Sequence, residues 1–371
     1  MSEPIRVLNM FTIMNRGGAE TMVMNYYRNM DRSKVQFDFL VHRSERGAYD
    51  DEIESLGGRI YRMIPIYPQN FKEYKSMLKT FFHEHPEYRI IHSHMSELGC
   101  FAFIEAQRQG VPVRICHAHN APHGWDIKMI MRNKFKKKMV PYITHMFTCG
   151  EEAAQWLYGK RYEDRFIHMN NAIDAARFRY DADKALQVRK SLSLTSRQLV
   201  IGHVGRFNKQ KNHSYLIEIF KEVKQLRSDA VLLLIGIGEL MEPIKEKVQQ
   251  YGLSDSVRFL GSRDDVNDLM QTFDVFLFPS LFEGFPVTMV EAQAGGNLCV
   301  ISKEQPKESA ITQNVRRISL QESPRAWAEL ILEETAHYEK SDTYESICKA
   351  GYDIRENVKK LEEFYLKAYE E

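Results

Sequence analysis

Short apolar runs alternate with helical patterns along the chain, and this alternation constrains the fold more than any other feature. A repeating strand–helix–strand order predicts a mainly parallel sheet that is covered by helices on both faces. The order restarts in the second half of the chain, which predicts two sheets. The predicted strands are 6–11, 37–41, 59–64, 90–94, 113–119, 145–149 and 165–170 in the first half, and 198–205, 230–238, 257–261, 275–280 and 298–302 in the second.

A polar, charged stretch over 174–197 separates the two sets of strands, and we expect it to be a linker with one helix. The length of 371 residues exceeds one ordinary hydrophobic core and suits two domains. We therefore predict an α/β protein with two Rossmann-like domains, over 1–175 and 176–355, followed by a last helix over 356–371. The cleft between two such domains is the expected ligand site.

Composition excludes several classes of protein. The formal net charge of +1 does not suggest nucleic acid as a partner. The five cysteines are scattered and never paired as Cys-x-x-Cys, which argues against a zinc site or a disulfide framework. We expect no signal peptide, because no basic stretch followed by an apolar run opens the sequence. No apolar run reaches the roughly 18 residues that span a bilayer, so we expect a cytoplasmic protein that is soluble or peripheral at the inner membrane leaflet.

The segment PSLFEGFPVTMVEAQAGG, residues 279–296, carries two carboxylates around a predicted helix start. Pro286 suits the first position of a helix, which we expect to run from about Val287 to Gln293 or slightly beyond. A helix N-terminus after a parallel strand can bind an anion, because its free N–H groups point at the ligand. Glu283 and Glu291 can then accept hydrogen bonds from hydroxyls on the two sides of a phosphate, and a nucleotide-sugar has that shape. The alternative is that acidic side chains simply favour a helix N-terminus through its dipole.

This segment resembles the E-x7-E signature of the retaining glycosyltransferases of family 4, which have the GT-B fold of two facing Rossmann-like domains. Further segments resemble that family in the same order along the chain. They are GGAETMVMNYY (17–27), FTCGEEAAQWLYG (147–159), NNAIDAARF (170–178), VGRFNKQKNHSYLIEIF (204–220), LLLIGIGELMEPI (232–244) and VRFLGSRDDVNDLMQTFDVFLFPS (257–280). The hinge departs from the family pattern at Ala172, where glycine is usual, and this puts the local turn in doubt.

The resemblance implies roles for the residues of the E-x7-E segment. Glu291 would bind the ribose hydroxyls of a nucleotide-sugar donor. Glu283 would contact the transferred sugar, with Gly284, Phe285 and Pro286 alongside it.

The resemblance also implies roles for residues outside that segment. Arg206 and Lys211 would bind the donor diphosphate, and Ser262 and Arg263 would line the base. Gly17 and Gly18 would let the first glycine-rich loop approach the phosphates.

Stabilisation of the departing diphosphate is expected to need no metal ion. The one Asp-x-Asp sequence, at 181–183, lies in the predicted linker, where a metal would serve nothing. Arg206, Lys211 and a helix N-terminus supply fixed positive charge instead. We therefore expect no metal and no cofactor, with the nucleotide-sugar as a substrate. Retention of the anomeric configuration is implied by the resemblance.

Two His-x-His sequences end neighbouring predicted strands. His92 and His94 end one, and His117 and His119 end the next; alternation places the two histidines of each pair on one face of their strand. A metal site is one interpretation, although no carboxylate or cysteine accompanies them at ligand spacing. The resemblance favours a histidine near the reacting centre. His119 fits that position best, and His117 is the alternative.

The segment IKMIMRNKFKKKMV, residues 127–140, is strongly basic. Its apolar residues Ile127, Met131, Phe135 and Met139 recur every four residues, and lysines surround them, among them Lys134, Lys136, Lys137 and Lys138. A basic amphipathic helix is typical of binding to an anionic membrane surface. The alternative is that the apolar stripe packs on its own domain and the lysines are solvated.

We therefore expect a metal-independent retaining glycosyltransferase that acts in surface polysaccharide synthesis. Its donor would be a nucleotide-sugar, in the first place a UDP-sugar with GDP-mannose open, and its acceptor a glycan or a lipid-linked glycan. The leading alternative is a sugar-nucleotide epimerase of the GT-B fold, which would use the carboxylates as acid and base. A Rossmann oxidoreductase is disfavoured, because Gly236-Ile237-Gly238 lacks the third glycine of the dinucleotide fingerprint. A binding protein without activity is also disfavoured, because the expected phosphate-binding and carboxylate residues are all present, namely Arg206, Lys211, Glu283 and Glu291.

Overall fold

The structure is a computed structural model that describes residues 3–121 and 128–370, without the side chain of Lys128. The chain forms two compact units. Unit 1 comprises Met1–Ala172 and Ile354–Glu371, and unit 2 comprises Ile173–Asp353. The predicted boundaries, after residues 175 and 355, differ from these by three and two residues.

Unit 1 contains a seven-stranded parallel sheet in the order β3-β2-β1-β4-β5-β6-β7. Each of the seven predicted strands is present. They are β1 Ile5–Phe11, β2 Val35–Val41, β3 Ile60–Arg62, β4 Ile90–Ser93, β5 Val113–Ala118, β6 His145–Thr148 and β7 Phe166–His168. The helices between them are α1 Gly18–Asn29, α2 Asp50–Ser55, α3 Phe71–Glu84, α4 Cys100–Arg108, α5 Lys128–Met139 and α6 Glu151–Tyr158.

Helices of unit 1 bury apolar residues in its core, and α3 shows the pattern of one buried face. In α3 the buried residues are Tyr74, Leu78, Phe81 and Phe82, which recur at the three- and four-residue spacing of one helix face. Together with residues of α4 and β4 they form one core cluster. The strands β1 and β2 are buried over most of their length, as expected for a parallel sheet with both faces covered.

Unit 2 contains a six-stranded parallel sheet in the order β10-β9-β8-β11-β12-β13. Its strands are β8 Val200–Val204, β9 Val231–Ile235, β10 Val257–Gly261, β11 Val275–Phe278, β12 Leu298–Ser302 and β13 Val315–Ile318. Its helices are α7 Ala175–Phe178, α8 Ala182–Ser191, α9 His213–Leu226, α10 Met241–Gln250, α11 Val266–Gln271, α12 Val287–Ala294, α13 Pro324–Thr335 and α14 Tyr344–Lys349. The strand β13 was not predicted. It is a half-exposed edge strand that contains two arginines, so its apolar pattern is weak.

The prediction of a linker over 174–197 is wrong. This stretch contains α7 and α8, and α8 packs on α11 within unit 2. Arg189 of α8 also binds the carboxylate of Asp274 through its Nη2 atom, at 2.7 and 2.8 Å. The polar surface of α8 made the stretch look like a linker, because only Ala185 of this helix is buried.

The last helix, α15 Ile354–Glu370, lies in unit 1 and packs on α1, β2 and β4. The two places where the chain passes between the units are joined by a parallel bridge of Ile173 with Asp353. Ala172 is fully buried beside this bridge. Among the described residues, positive φ at non-glycine positions occurs at Ser96, Ser193 and Asn212, so the turn at Ala172 does not need glycine.

Candidate active site

Three charged residues of the expected site, Arg206, Lys211 and Glu283, lie at the carboxyl ends of β8 and β11. These strands are far apart in sequence but pair directly in the sheet. The strand order reverses at this pair, and ligands of open α/β sheets bind at such a point. The loop after β8 carries Arg206 and Lys211, and the loop after β11 carries Glu283.

Lys211 and Glu283 form a shielded ion pair. Lys211 Nζ lies 2.8 Å from Glu283 Oε1, and the two side chains are only 14% and 9% exposed. The ammonium also lies 4.6 Å from the centre of the Phe278 ring. Gln210 Nε2 donates hydrogen bonds to Glu283 Oε2 at 3.0 Å and to the carbonyl oxygen of Phe282 at 2.9 Å. Both carboxylate oxygens are therefore engaged, which fixes the direction of the Glu283 side chain.

Arg206 is held much less firmly. Its Nη2 atom lies 3.4 Å from Glu239 Oε2, and the two side chains are 70% and 57% exposed. An exposed ion pair contributes about 0–1 kcal/mol. A ligand anion can therefore replace Glu239 as the partner of Arg206 at small cost.

Gly236 and Gly238 allow the loop after β9 to pack on the backbone around Arg206. A Cβ atom on Gly236 would lie 2.0 Å from the carbonyl oxygen of Gly205, and one on Gly238 would lie 2.4 Å from that of Phe207. Gly236 also has a φ of +136°. Close packing of two loops within unit 2 thus accounts for the glycines of this Gly-x-Gly sequence.

Helix α12 begins at Val287 and ends at Ala294, within the predicted range. Pro286 precedes it with φ −75° and ψ 117°. The prediction that Pro286 is the first helical residue is therefore wrong by one position, since its extended ψ is needed to turn the loop into the helix. Glu291 lies inside α12 and is only 8% exposed.

Phe285 anchors the middle of the loop between β11 and α12. It is buried, and its ring stacks on that of Tyr352 with 5.0 Å between centroids and 9° between planes. Gly284 precedes it and is half-buried. Tyr352 lies just before the bridge residue Asp353, so the stack ties this loop to the end of unit 2.

Ser262 and Arg263 lie further along the sheet. They are exposed and follow β10, an edge strand that β9 separates from β8. Arg263 binds the carboxylate of Asp265 at 2.8 and 2.6 Å. Two strand spacings amount to roughly 10 Å, so the structure does not bring this pair next to Lys211.

In unit 1, Gly17 and Gly18 lie where α1 begins, Gly17 as the residue before the helix. Neither has a positive φ. A Cβ on Gly18 would meet nothing within 4 Å, and one on Gly17 would meet the mobile end of the Glu20 side chain. Within unit 1, therefore, packing gives no reason for glycine at position 18.

The four histidines at the ends of β4 and β5 form a hydrogen-bonded cluster, which we call the imidazole cluster. His92 Nε2 lies 3.2 Å from His117 Nδ1, and His94 Nδ1 lies 2.9 Å from His119 Nε2. The other nitrogen of His92 contacts the Tyr365 hydroxyl of α15 at 2.7 Å. His119, the residue predicted at a reacting centre, is 9% exposed, whereas His117 is fully buried.

The imidazole cluster is uncharged near neutral pH. Burial lowers the pKa of His92 to about 3 and that of His119 to about 4, and it also lowers the pKa values of His94 and His117. Ligand atoms of His92, His94 and His117 lie within 4.8 Å of one another. In the described part of the chain, however, no carboxylate or thiol joins this group, and the imidazoles hydrogen-bond to one another. The hydrogen bonds between the imidazoles occupy ring nitrogens that a metal ion would otherwise need.

Helix α5 divides the predicted basic segment into two faces. Met139 is buried and Phe135 packs in the core, its ring centre 6.0 Å from that of Phe71 and 5.3 Å from that of Phe101. The expected stripe therefore packs on its own domain at these two positions. Met131 is 44% exposed, and Ile127 lies outside the described residues.

Of the lysines at 134, 136, 137 and 138, one points inward. Lys136 Nζ donates to the carbonyl oxygen of Trp156 at 2.6 Å and lies 4.0 Å from the centre of that ring. Lys134, Lys137 and Lys138 are exposed.

Sequence reasoning missed Gln210, Glu239 and Tyr352. Gln210 stands beside Lys211 in the quoted segment, but a neutral amide carries no signal of its partner 73 positions away. Glu239 and Tyr352 also contact site residues that are distant in sequence, Arg206 and Phe285. No local pattern would have identified them.

Two family models match the chain. The model described as "Glycosyl transferases group 1" matches residues 186–349, and the model described as "Glycosyltransferase Family 4" matches residues 16–177. The chain is 37% identical over 370 residues to EpsF of Bacillus subtilis (strain 168), whose name assigns it to the glycosyltransferases; the match covers 97% of this chain and 96% of EpsF.

A further relative and a solved structure are also similar to this chain. The UDP-Gal:alpha-D-GlcNAc-diphosphoundecaprenol alpha-1,3-galactosyltransferase of Escherichia coli is 28% identical over 283 residues, which is 72% of each chain. Anabaena HepE, solved in complex with UDP-glucose, superposes with a TM-score of 0.80 at 17% identity, over 98% of this chain and 99% of HepE. At that identity the likeness shows a shared fold. In the described residues, none of the helices is both long and apolar enough to cross a membrane.

Proposed function

Because the chain belongs to the glycosyltransferases of family 4, with the GT-B fold, we propose the donor, the acceptor and the residues of its transfer reaction. The protein transfers a sugar from a UDP-sugar to a glycan or a lipid-linked glycan in the synthesis of a surface polysaccharide. The observation that carries this proposal is the set formed by Arg206, Lys211 and Glu283 where β8 and β11 end. It combines two cations with a fixed hydroxyl acceptor.

The two cations bind the diphosphate of the donor. Lys211 is close to Glu283, and the exposed Arg206 is free to turn from Glu239 towards a phosphate. Fixed positive charges in a shielded site stabilise the charge that develops on a leaving group. Glu283 accepts hydrogen bonds from the transferred sugar, and Glu291 accepts those of the ribose.

The other donor and acceptor contacts follow the family pattern. Gly284, Phe285 and Pro286 border the sugar, and Ser262 and Arg263 border the base. The family pattern also assigns roles to Gly17, Gly18 and His119 of unit 1.

The reaction proceeds without a metal ion and with retention of the anomeric configuration. Metal independence is supported by the place of the Asp-x-Asp sequence. Asp181 accepts a hydrogen bond from the backbone N–H of Lys184 at 3.0 Å, so it caps α8. Retention is supported by membership of the family.

The names of similar proteins support the choice of UDP and of a lipid-linked acceptor. HepE is solved with UDP-glucose, and the Escherichia coli relative is named for a UDP-galactose donor and a diphosphoundecaprenol acceptor. A capsular polysaccharide biosynthesis glycosyltransferase of Staphylococcus aureus is 24% identical over 98% of this chain. A lipid-linked acceptor places the enzyme at the inner leaflet of the cell membrane.

An anionic membrane surface is the proposed partner of α5. Lys134, Lys137 and Lys138 are exposed there, and Ile130 and Met131 beside them are 63% and 44% exposed. Cations next to exposed apolar side chains suit the boundary between lipid headgroups and acyl chains.

Thermal unfolding in the presence of UDP, GDP and a panel of their sugar derivatives tests the donor. A ligand that binds the folded state stabilises it by RT ln(1 + [L]/Kd), so we expect UDP and one UDP-sugar to raise the unfolding temperature. A response to GDP and GDP-mannose alone would contradict the choice of UDP.

Product analysis then tests the reaction. Transfer to an undecaprenyl-type acceptor should survive EDTA, and loss of activity that only a divalent cation restores would overturn metal independence. Conversion of the donor without any acceptor would instead indicate an epimerase.

A further inference from the structure

We propose that Gln210 is a positioning residue that holds the Glu283 carboxylate in its reactive direction; this inference rests on the proposed function. The loop from Pro279 to Pro286 contains no helix or strand, so it needs long-range contacts to hold one conformation. Glu283 lies in the middle of this loop.

Gln210 makes three hydrogen bonds to three consecutive residues of that loop. Its Nε2 atom donates to Glu283 Oε2 at 3.0 Å and to the carbonyl oxygen of Phe282 at 2.9 Å. The backbone carbonyl oxygen of Gln210 accepts from the backbone N–H of Leu281 at 2.8 Å. One residue of the β8 loop thus fixes the backbone and the side chain of the β11 loop together.

The neighbouring Asn212 reinforces the same connection. Its Nδ2 atom donates to the carbonyl oxygen of Pro279 at 3.1 Å, and its backbone has a φ of +55°. The β11 loop is therefore connected to the β8 loop at its start as well as at its centre.

An amide suits this position better than a charged group. The two hydrogens of the Nε2 atom match two acceptors, whereas a carboxylate would offer no donor and would repel Glu283. A cationic side chain at position 210 would compete with Lys211 for the phosphates of the nucleotide-sugar. A diphosphate that attracts Lys211 weakens the ion pair with Glu283, but it exerts no such pull on a neutral amide. Gln210 therefore keeps Glu283 in place when Lys211 turns to the phosphates.

The contribution of the sugar to donor binding provides the test. Gln210→Leu removes both donors at similar volume, and Gln210→Asn keeps the amide but shortens its reach. The matched control is Gln249→Leu, since Gln249 is exposed on α10. For each variant, Kd is measured for the nucleoside diphosphate and for whichever of UDP-glucose, UDP-galactose, UDP-N-acetylglucosamine or GDP-mannose stabilises the wild type most. The kcat and KM values are measured with that sugar derivative as donor.

We expect Gln210→Leu to lower kcat roughly 10- to 100-fold, the range for residues that orient a functional side chain. Binding of the nucleoside diphosphate alone should stay within about twofold of the wild type, because Glu283 contacts the sugar. The nucleotide-sugar should therefore lose part of its advantage in affinity over the nucleoside diphosphate. Gln210→Asn should show the same pattern more weakly, and it serves as the test variant if the leucine variant does not fold.

Other outcomes would overturn the inference. An unchanged kcat would do so, as would an equal loss of affinity for the diphosphate and for the sugar derivative, which would indicate that Gln210 only supports the fold of the loop. If the wild type itself binds no nucleotide-sugar, the proposed function fails, whatever the variants do.

Discussion

The two units carry polar clusters at similar places in their sheets, yet the clusters differ in charge. In unit 1, four imidazoles at the ends of β4 and β5 bond to one another and are kept neutral by burial. In unit 2, the ends of β8 and β11 hold the ion pair of Lys211 and Glu283 and the exposed cation of Arg206. The same sheet topology thus supports a neutral cluster in one unit and a charged one in the other.

The two clusters differ in whether their charge is already present before a ligand binds. A charge in the imidazole cluster must be created by protonation against the cost of burial. The charges in unit 2 exist before a ligand arrives, and the ion pair leaves no uncompensated buried charge. Fixed charge for a diphosphate is therefore available in unit 2, and a neutral hydrogen-bonding group is available in unit 1.

The largest expected effect is loss of stability in acid. The unfolded chain has histidine pKa values of about 6.5, whereas those of folded His92 and His119 are about 3 and about 4. Between pH 6.5 and 4 the unfolded chain binds more protons, so stability is complete above this window and falls as the pH falls through it. Each pKa unit corresponds to roughly 1.4 kcal/mol. We expect several kcal/mol to be lost, measured as the free energy of unfolding in denaturant at each pH.

A substitution in the cluster sharpens this prediction. His92→Leu removes one titrating group, so the loss of stability between pH 6.5 and 4 should become shallower. The exposed His83 on α3 provides the control, and His83→Gln should leave the slope unchanged. A stability that is flat across this window in the wild type would contradict the assignment of a neutral cluster.

The next effect concerns the charged cluster. Lys211→Ala removes one of the fixed charges proposed to bind the leaving diphosphate and leaves the shielded Glu283 uncompensated, so turnover should fall roughly 10²-fold or more. The turnover of the Arg206→Ala variant should fall by a similar factor. Turnover of the donor with a soluble acceptor measures both. Lys209→Ala is the control, because Lys209 is exposed in the same loop; if it lost as much as Lys211→Ala, the effect would belong to the charge of the loop as a whole.

A smaller effect is expected inside α12. Glu291→Gln keeps the shape of a buried side chain but should weaken the hydrogen bonds proposed between Glu291 and the ribose, and a hydrogen bond to a charged group contributes about 1.5–3 kcal/mol. The Kd for the nucleotide-sugar should rise at least about tenfold, measured by calorimetry, while the unfolding temperature without ligand changes little. An unchanged Kd would remove Glu291 from the donor site.

The smallest effect on turnover is expected from α5. Replacing Lys134, Lys137 and Lys138 with glutamate should abolish sedimentation with anionic liposomes at low salt, since each lysine contributes about 1 kcal/mol near such a surface. Turnover with a short soluble acceptor should stay within about twofold, because the cations of unit 2 are untouched. The same change at the exposed Lys303, Lys307 and Lys349 alters the net charge equally and should leave sedimentation intact. A wild type that ignores these liposomes would show that α5 is an ordinary solvated helix.

The sequence by itself determined the order of the elements. Each predicted strand is present, and α12 begins at the predicted residue, because the periodicity of apolar side chains and the turn residues act locally. Where this local signal is weak, the prediction failed. The edge strand β13 was missed, α8 was taken for part of a linker, and Pro286 was placed one residue too far into the helix.

Only the tertiary structure decided which side chains meet. Lys211, Gln210 and Glu283 come together because β8 pairs with β11, and no local pattern encodes the order of strands in a sheet. The same holds for the imidazole cluster, which needs β4 beside β5, and for Lys136, whose ammonium lies on Trp156 of another helix. Contacts between distant segments depend on the summed burial of whole elements, so the sequence predicts the residues of the site more readily than their partners.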